Sequence, residues 1–140
     1  MSTAEAVGSG RGREPTVAQL MSQPVLTVEV GESLWDAWQL LFVSGLRQLV
    51  VLNSDGTSLG VLSDRNILAE VPATAEHLSD RKVGDVLAMV PFVSVHPKDH
   101  PLVAAKIMAS NSVEAVPVLD PGGRLVGIVT ESDVVRWLVR

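Results

Sequence analysis

The stretch Gly127-Ile128-Val129-Thr130-Glu131-Ser132-Asp133, close to the C-terminus, decides the reading of the chain. A glycine and two β-branched apolar residues make a short buried strand. A hydroxyl followed three residues later by a carboxylate makes a helix start, with Thr130 as N-cap and Asp133 in the first turn. Such a junction gathers free backbone N–H groups, a hydroxyl and a carboxylate, a set suited to holding a phosphate and a ribose diol together. The same pattern stands 67 residues earlier, in Gly60-Val61-Leu62-Ser63-Asp64-Arg65-Asn66. The chain therefore reads as two copies of one unit.

Working outward from the earlier copy, Leu49-Val50-Val51-Leu52 is a wholly apolar strand, joined to Ser58–Leu62 by the turn Asn53-Ser54-Asp55-Gly56-Thr57. Before it, apolar residues at 34, 37, 38, 41 and 42 give the stripe of a core-facing helix over Leu34 to Ser44. Ser33 caps that helix and Gly45 stops it. Trp35, Leu40 and Val43 lie off the stripe, so this helix is apolar nearly all round and is expected to meet a second subunit. Thr16 caps a short helix over Val17–Met21, and Val25–Val28 is extended. The later copy repeats the order: a short helix at Val83–Leu87, an extended Phe92-Val93-Ser94-Val95, and a helix from Pro101 to Ser110. Strands Val116–Leu119 and Leu125–Val129 and a closing helix from Glu131 to Arg140 complete it. The lead-in helices register at 66 residues rather than 67, which places one inserted residue before Pro91.

The expected organisation is a tail over residues 1–14, repeat 1 over 15–71, a linker over 72–81 and repeat 2 over 82–140. Each repeat reads β-α-β-β-α, an α/β (α+β) unit. Apolar residues make up 46% of the 140, enough for a shared core. The absence of cysteine excludes disulfides, thiolate metal sites and cysteine nucleophiles. A net charge of −5 argues against DNA or RNA binding. No apolar run is long enough to span a bilayer, and the N-terminus lacks a signal-peptide apolar region. These features together predict a cytoplasmic protein without membrane insertion.

The paired motifs resemble the cystathionine-β-synthase (CBS) domain family in its tandem form, the Bateman module. The lead-in phrases Val17-Ala18-Gln19-Leu20-Met21 and Val83-Gly84-Asp85-Val86-Leu87 match as well, so the resemblance covers residues 16–139. It implies two repeats packed sheet to sheet with pseudo-two-fold symmetry, and two clefts that take an adenosine compound such as AMP, ADP, ATP or S-adenosylmethionine. It also implies pairing of modules into a homodimer and regulation of an enzyme or transporter, by a stand-alone chain that is itself no enzyme.

Carried over residue by residue, the favoured cleft has Ile128 against the adenine or sugar. Thr130 and Ser132 face a phosphate and Asp133 the ribose hydroxyls, with Ala37, Leu46 and Arg47 on the opposite wall. The mirror cleft has Val61, Ser63, Arg65 and Asn66, faced by Ala104, Val113 and Glu114. It departs from the pattern, because Asn66 stands where the ribose-binding carboxylate belongs and Glu114 brings a negative charge. The resemblance also points to Trp35 and Trp137 as dimer-interface residues, since they lie on the helices the family uses for pairing.

Each of these has a plainer reading beside it. Thr130 and Asp133 suit helix capping as well as ligand binding, and the tryptophans suit ordinary packing. A ligand-free dimerisation or protein-interaction module is the competing function. His96 and His100 are four apart, but Pro97 and Pro101 break any helix between them, so no metal pair is expected. No glycine-flanked serine supports a hydrolase, and Gly8-Ser9-Gly10-Arg11-Gly12 lacks the lysine of a phosphate-binding loop.

Overall fold

The computed structural model of the protein describes residues 14–139. All of the expected tail except Glu14 lies outside the described residues, as does Arg140. The element order is α1 (Val17–Leu20), β1 (Thr27–Glu29), α2 (Leu34–Ser44), β2 (Gln48–Leu52), β3 (Ser58–Ser63) and α3 (Asp64–Glu70). It continues with α4 (Ala75–Ser79), α5 (Val83–Leu87), α6 (Pro101–Asn111), β4 (Ala115–Leu119), β5 (Leu125–Thr130) and α7 (Glu131–Val139). The chain is an α+β fold with one small sheet in each copy.

Local chemistry sets most of these boundaries. Ser33 caps α2 by accepting the Asp36 N–H at 3.1 Å, and Gly45, at φ 74°, ends it in the left-handed region. Ser112 does the work of Gly45 in the second copy, at φ 54° and ψ 40°. The expected linker contains a helix of its own, α4. Thr74 accepts the His77 N–H at 3.2 Å, and Leu78 is fully buried against the first core.

The two sheets differ for a reason visible in one residue. In the first copy β1 pairs in parallel with β2, and β2 in antiparallel with β3. The Val50 N–H extends the parallel pairing by donating to the Leu26 carbonyl at 2.9 Å. The residue equivalent to Val50 is Pro117, which has no N–H to give. The second copy therefore keeps a two-stranded β4–β5 sheet and a single bridge between Val95 and Val118. In it the Val95 N–H reaches the Pro117 carbonyl at 3.0 Å and the Leu119 N–H reaches the Val95 carbonyl at 2.9 Å. The extended segment expected over Phe92–Val95 forms no strand.

The lead-in helices are exchanged between the copies. Val17 of α1 is fully buried in the core of the second copy, with Val116, Val118, Val129 and Met108. Val83 and Val86 of α5 are buried in the core of the first, with Leu34, Leu49, Leu62 and Ile67. The motif glycines make room for this exchange. A Cβ on Gly127 would lie 2.5 Å from the Met21 sulfur. One on Gly60, at φ 141°, would lie 3.4 Å from a Leu87 methyl. Between the sheets, Val50 and Val61 of the first copy pack on Ala115 and Ile128 of the second. Burial of this kind contributes about 25 cal/mol per Å² of apolar surface. Among the described residues no helix is long and apolar enough to cross a membrane.

Candidate functional site

Each strand-to-helix motif folds as its own capping pattern dictates. In the second copy the Asp133 N–H donates to Thr130 Oγ1 at 3.2 Å, and the Thr130 N–H donates to Asp133 Oδ2 at 2.9 Å. In the first, the Asn66 N–H donates to Ser63 Oγ at 3.1 Å and the Ser63 N–H to Asn66 Oδ1 at 2.8 Å. Both are reciprocal capping boxes. The capping reading of Thr130 and Asp133 thus holds in the structure, and a binding role has to be compatible with it. Each helix is also tied to the residue just ahead of the central strand of its copy: Asp64 N–H to Arg47 O at 3.1 Å, before β2, and Glu131 N–H to Glu114 O at 3.0 Å, before β4.

A cleft of ≈ 490 Å³ opens beside the second motif. Ile128, Thr130, Ser132 and Asp133 form one wall, and Leu46 and Arg47 face them from the first copy. The connector Ser22–Leu26 closes one side, and Gln48, Glu114 and Arg136 also line it. Arg47 leans on Asp64 at 3.5 Å with 59% of its side chain exposed. Ala37, expected on this wall, is fully buried in the first core instead. The helical stripe that sends Leu34 and Leu41 inward carries Ala37 with them.

The mirror cleft is smaller, ≈ 150 Å³. Val61, Ser63, Arg65, Asn66, Val113 and Glu114 line it, together with Val90, Pro91 and Pro117. Ala104 does not, being fully buried in the second core for the same reason as Ala37. Arg65 and Glu114 form an ion pair from one copy to the other. The pseudo-equivalent pair in the larger cleft is Ser132 and Arg47, a hydroxyl and a guanidinium with no ion pair between them, Arg47 pairing instead with Asp64 of its own copy. Charge thus ties the two walls of the smaller cleft and leaves those of the larger one untied.

Asp133 is the most heavily engaged group of the site. Its side chain is 2% exposed and pairs with the Arg136 guanidinium. The Ser22 hydroxyl donates to both of its oxygens, at 3.2 and 3.3 Å. Arg136 and Ser22 escape the motif comparison. Arg136 has a sequence signal, a cation three residues after Asp133 on one helix face. Ser22 has none, since 111 residues separate it from its partner.

The two tryptophans expected at a dimer interface are both partly buried within the chain. Trp35 is half-buried and packs against the first core. Trp137 is half-buried, with the His100 ring meeting it edge-on at 5.7 Å between centroids and 85° between planes. His100 Nδ1 accepts the Leu102 N–H at 3.1 Å, which caps α6. Among the described residues no three His, Cys, Asp or Glu side chains come together as a metal site. The exposed apolar residues of the helices are Phe42 and Val43 of α2, Leu68 of α3, Leu102 and Val103 of α6, and Val135, Leu138 and Val139 of α7.

The sequence matches the family described as CBS domain over residues 17–73 and again over 83–140. A CBS domain-containing protein of Dictyostelium discoideum is 32% identical over 133 residues, 89% of this chain and 91% of that protein. A homoserine O-acetyltransferase of Methanococcoides burtonii is 33% identical over 124 residues, 88% of this chain but 24% of the enzyme. The chain thus spans about a quarter of that enzyme's length. Among solved structures, CBSX2 in complex with AMP superposes with a TM-score of 0.72 at 27% identity, covering 89% of this chain and 96% of the other. The same protein is described as a CBS-pair protein from Arabidopsis thaliana. With both copies matched in order and the paired sheets and clefts in place, the chain belongs to the CBS domain family.

Proposed function

We propose that this CBS pair is a regulatory sensor that binds an adenosine compound, AMP, ADP, ATP or S-adenosylmethionine, in the larger cleft. The carrying observation is the pairing of walls there: Ile128, Thr130, Ser132 and Asp133 from one copy, Leu46 and Arg47 from the other. An adenine fits against Ile128 and Leu46, and a phosphate between Arg47 and the hydroxyls of Thr130 and Ser132. A guanidinium offers such a phosphate two parallel donors. The complex of CBSX2 with AMP, at 27% identity, supports the ligand class. The smaller cleft, tied by Arg65 and Glu114 and lacking the carboxylate at Asn66, stays empty of nucleotide.

The sensor works by differential affinity. A ligand that touches both copies favours the arrangement of copies or subunits in which both walls reach it, and a regulated enzyme or transporter reads that arrangement. The protein itself is not an enzyme and acts in the cytoplasm. The exposed Phe42 and Val43, each 83% accessible, support a homodimer formed through α2 and α7. Phe42→Asp tests that surface better than a change at Trp35, which would also disturb the first core. The variant is expected to sediment as a monomer at concentrations where the parent is a dimer, and equal sedimentation would exclude α2 from the interface.

Calorimetric titration of the full chain with each of the four compounds tests the sensor reading. Binding of at least one, at one site per chain, is the expected result. No heat from any of them at millimolar ligand would leave the dimerisation module, favoured by the same exposed helix faces, as the function.

A further inference from the structure

We infer that Ser22 sets how readily the larger cleft accepts a ribose, because its hydroxyl occupies the carboxylate that a ligand's diol must engage. This rests on the nucleoside reading of that cleft, and concerns a residue that reading does not use. The Ser22 hydroxyl lies 3.2 and 3.3 Å from the two Asp133 oxygens, so one proton is shared between two acceptors and neither bond is strong. The backbone holds it there. Ser22 exchanges both hydrogen bonds with Ile128, at 2.8 and 3.3 Å, as an isolated antiparallel bridge on the edge of β5. Gln23 Nε2 donates to the Val126 carbonyl at 2.7 Å, and Met21 lies over Gly127.

The other donors to Asp133 yield less easily. The Thr130 N–H is the cap of α7. The Arg136 guanidinium carries a charge opposite to that of the carboxylate, so its bond is an ion pair as well as a hydrogen bond. A carboxylate offers about four lone-pair directions. With three donors in place and 2% of the side chain exposed, a bidentate diol needs one of them to leave. Ser22 is neutral, shared and on the cleft wall, so it is the donor a ribose displaces. The first copy has no such device: the corresponding positions, Ala88 and Met89, carry no hydroxyl.

The test is calorimetric titration of the parent, Ser22→Ala and Ser22→Thr with AMP and with 2′,3′-dideoxy-AMP. Ser22 is exposed, so the alanine variant keeps its packing. Ser22→Ala is expected to bind AMP about fivefold tighter, the worth of one long, shared hydrogen bond no longer in competition. Ser22→Thr, which restores a hydroxyl, should return to the parent affinity, and the dideoxy compound should bind all three alike. Equal or weaker AMP binding by Ser22→Ala overturns the inference while leaving the sensor reading standing. So does an equal gain for the dideoxy compound, which would mean a general opening of the cleft. No binding of AMP by any form overturns the inference and leaves the sensor reading to the titrations with the other three compounds.

Discussion

The two clefts are built from one motif, yet they differ where the motif's neighbours differ. Both motifs cap their helices by the same reciprocal bonds, Ser63 with Asn66 and Thr130 with Asp133. In the smaller cleft an amide does the capping, and Arg65 and Glu114 draw the walls together. In the larger one a carboxylate does it, and among the described residues Arg47 pairs with Asp64 of its own copy rather than across the cleft. A capping oxygen need not be charged, so the charge on Asp133 is surplus to the local fold. That surplus is what a ligand, or Ser22 and Arg136 in its place, can use. The copies differ a second time in their sheets, where Pro117 removes the donor that Val50 supplies.

The sharpest way to break the comparison is to attack one core from outside its own copy. Val17→Asp is expected to cost about 3–5 kcal/mol, as an uncompensated buried charge does. Its hydrogen-exchange protection should fall first in α6, β4 and β5. Loss beginning in β1–β3 would mean that α1 does not belong to the second core.

Next come the two capping residues. Asp133→Ala and Asn66→Ala should each lose at least about 1 kcal/mol in urea unfolding, the worth of the hydrogen bond each gives the N-cap amide in its capping box. Asp133→Ala should also abolish most nucleotide binding, whereas Asn66→Ala should change it little. Equal effects on binding would show that the clefts are functionally equivalent.

A smaller effect is expected from Glu114→Gln. The ion pair it breaks is part-exposed, 64% at Arg65 and 27% at Glu114, so solvent screening holds its contribution below about 1 kcal/mol. The urea midpoint should move slightly at low salt and less at high salt. A loss of several kcal/mol would make the pair a structural tie of the whole fold.

Smallest of all is Pro117→Val. A restored N–H offers a hydrogen bond of about 1 kcal/mol, while the lost proline frees the unfolded chain by about 0.4–1 kcal/mol. Net stability should therefore barely change. The new amide at position 117 should exchange slowly, reporting a third strand in the second sheet. Fast exchange would show that something besides Pro117 keeps residues 92–95 out of it.

Much of this was legible in the residues. The repeat, the helix over Leu34–Ser44 with its Ser33 cap and Gly45 stop, and the motif helices all follow from spacing and capping chemistry. So does the contrast of Asn66 with Asp133. Ala37 and Ala104 were placed on cleft walls by resemblance, although Ala37 lies on the stripe that buries Leu34 and Leu41. The helix α4 was hidden because five residues carry too little periodicity to stand out in a linker.

The sequence by itself determined what depends on bonds between near neighbours: helix starts and stops, the strand-to-helix motifs, the duplication and the charge asymmetry between copies. Those interactions are set within about four residues, and a linear pattern records them. The tertiary structure alone decided the exchange of α1 and α5 between cores, the different sizes of the clefts and the hydrogen bond from Ser22 to Asp133. These contacts join residues far apart in the chain, 111 positions in the last case, and leave no periodic trace in it. They arise because each short lead-in helix can bury its apolar face only against the other copy's sheet and helices.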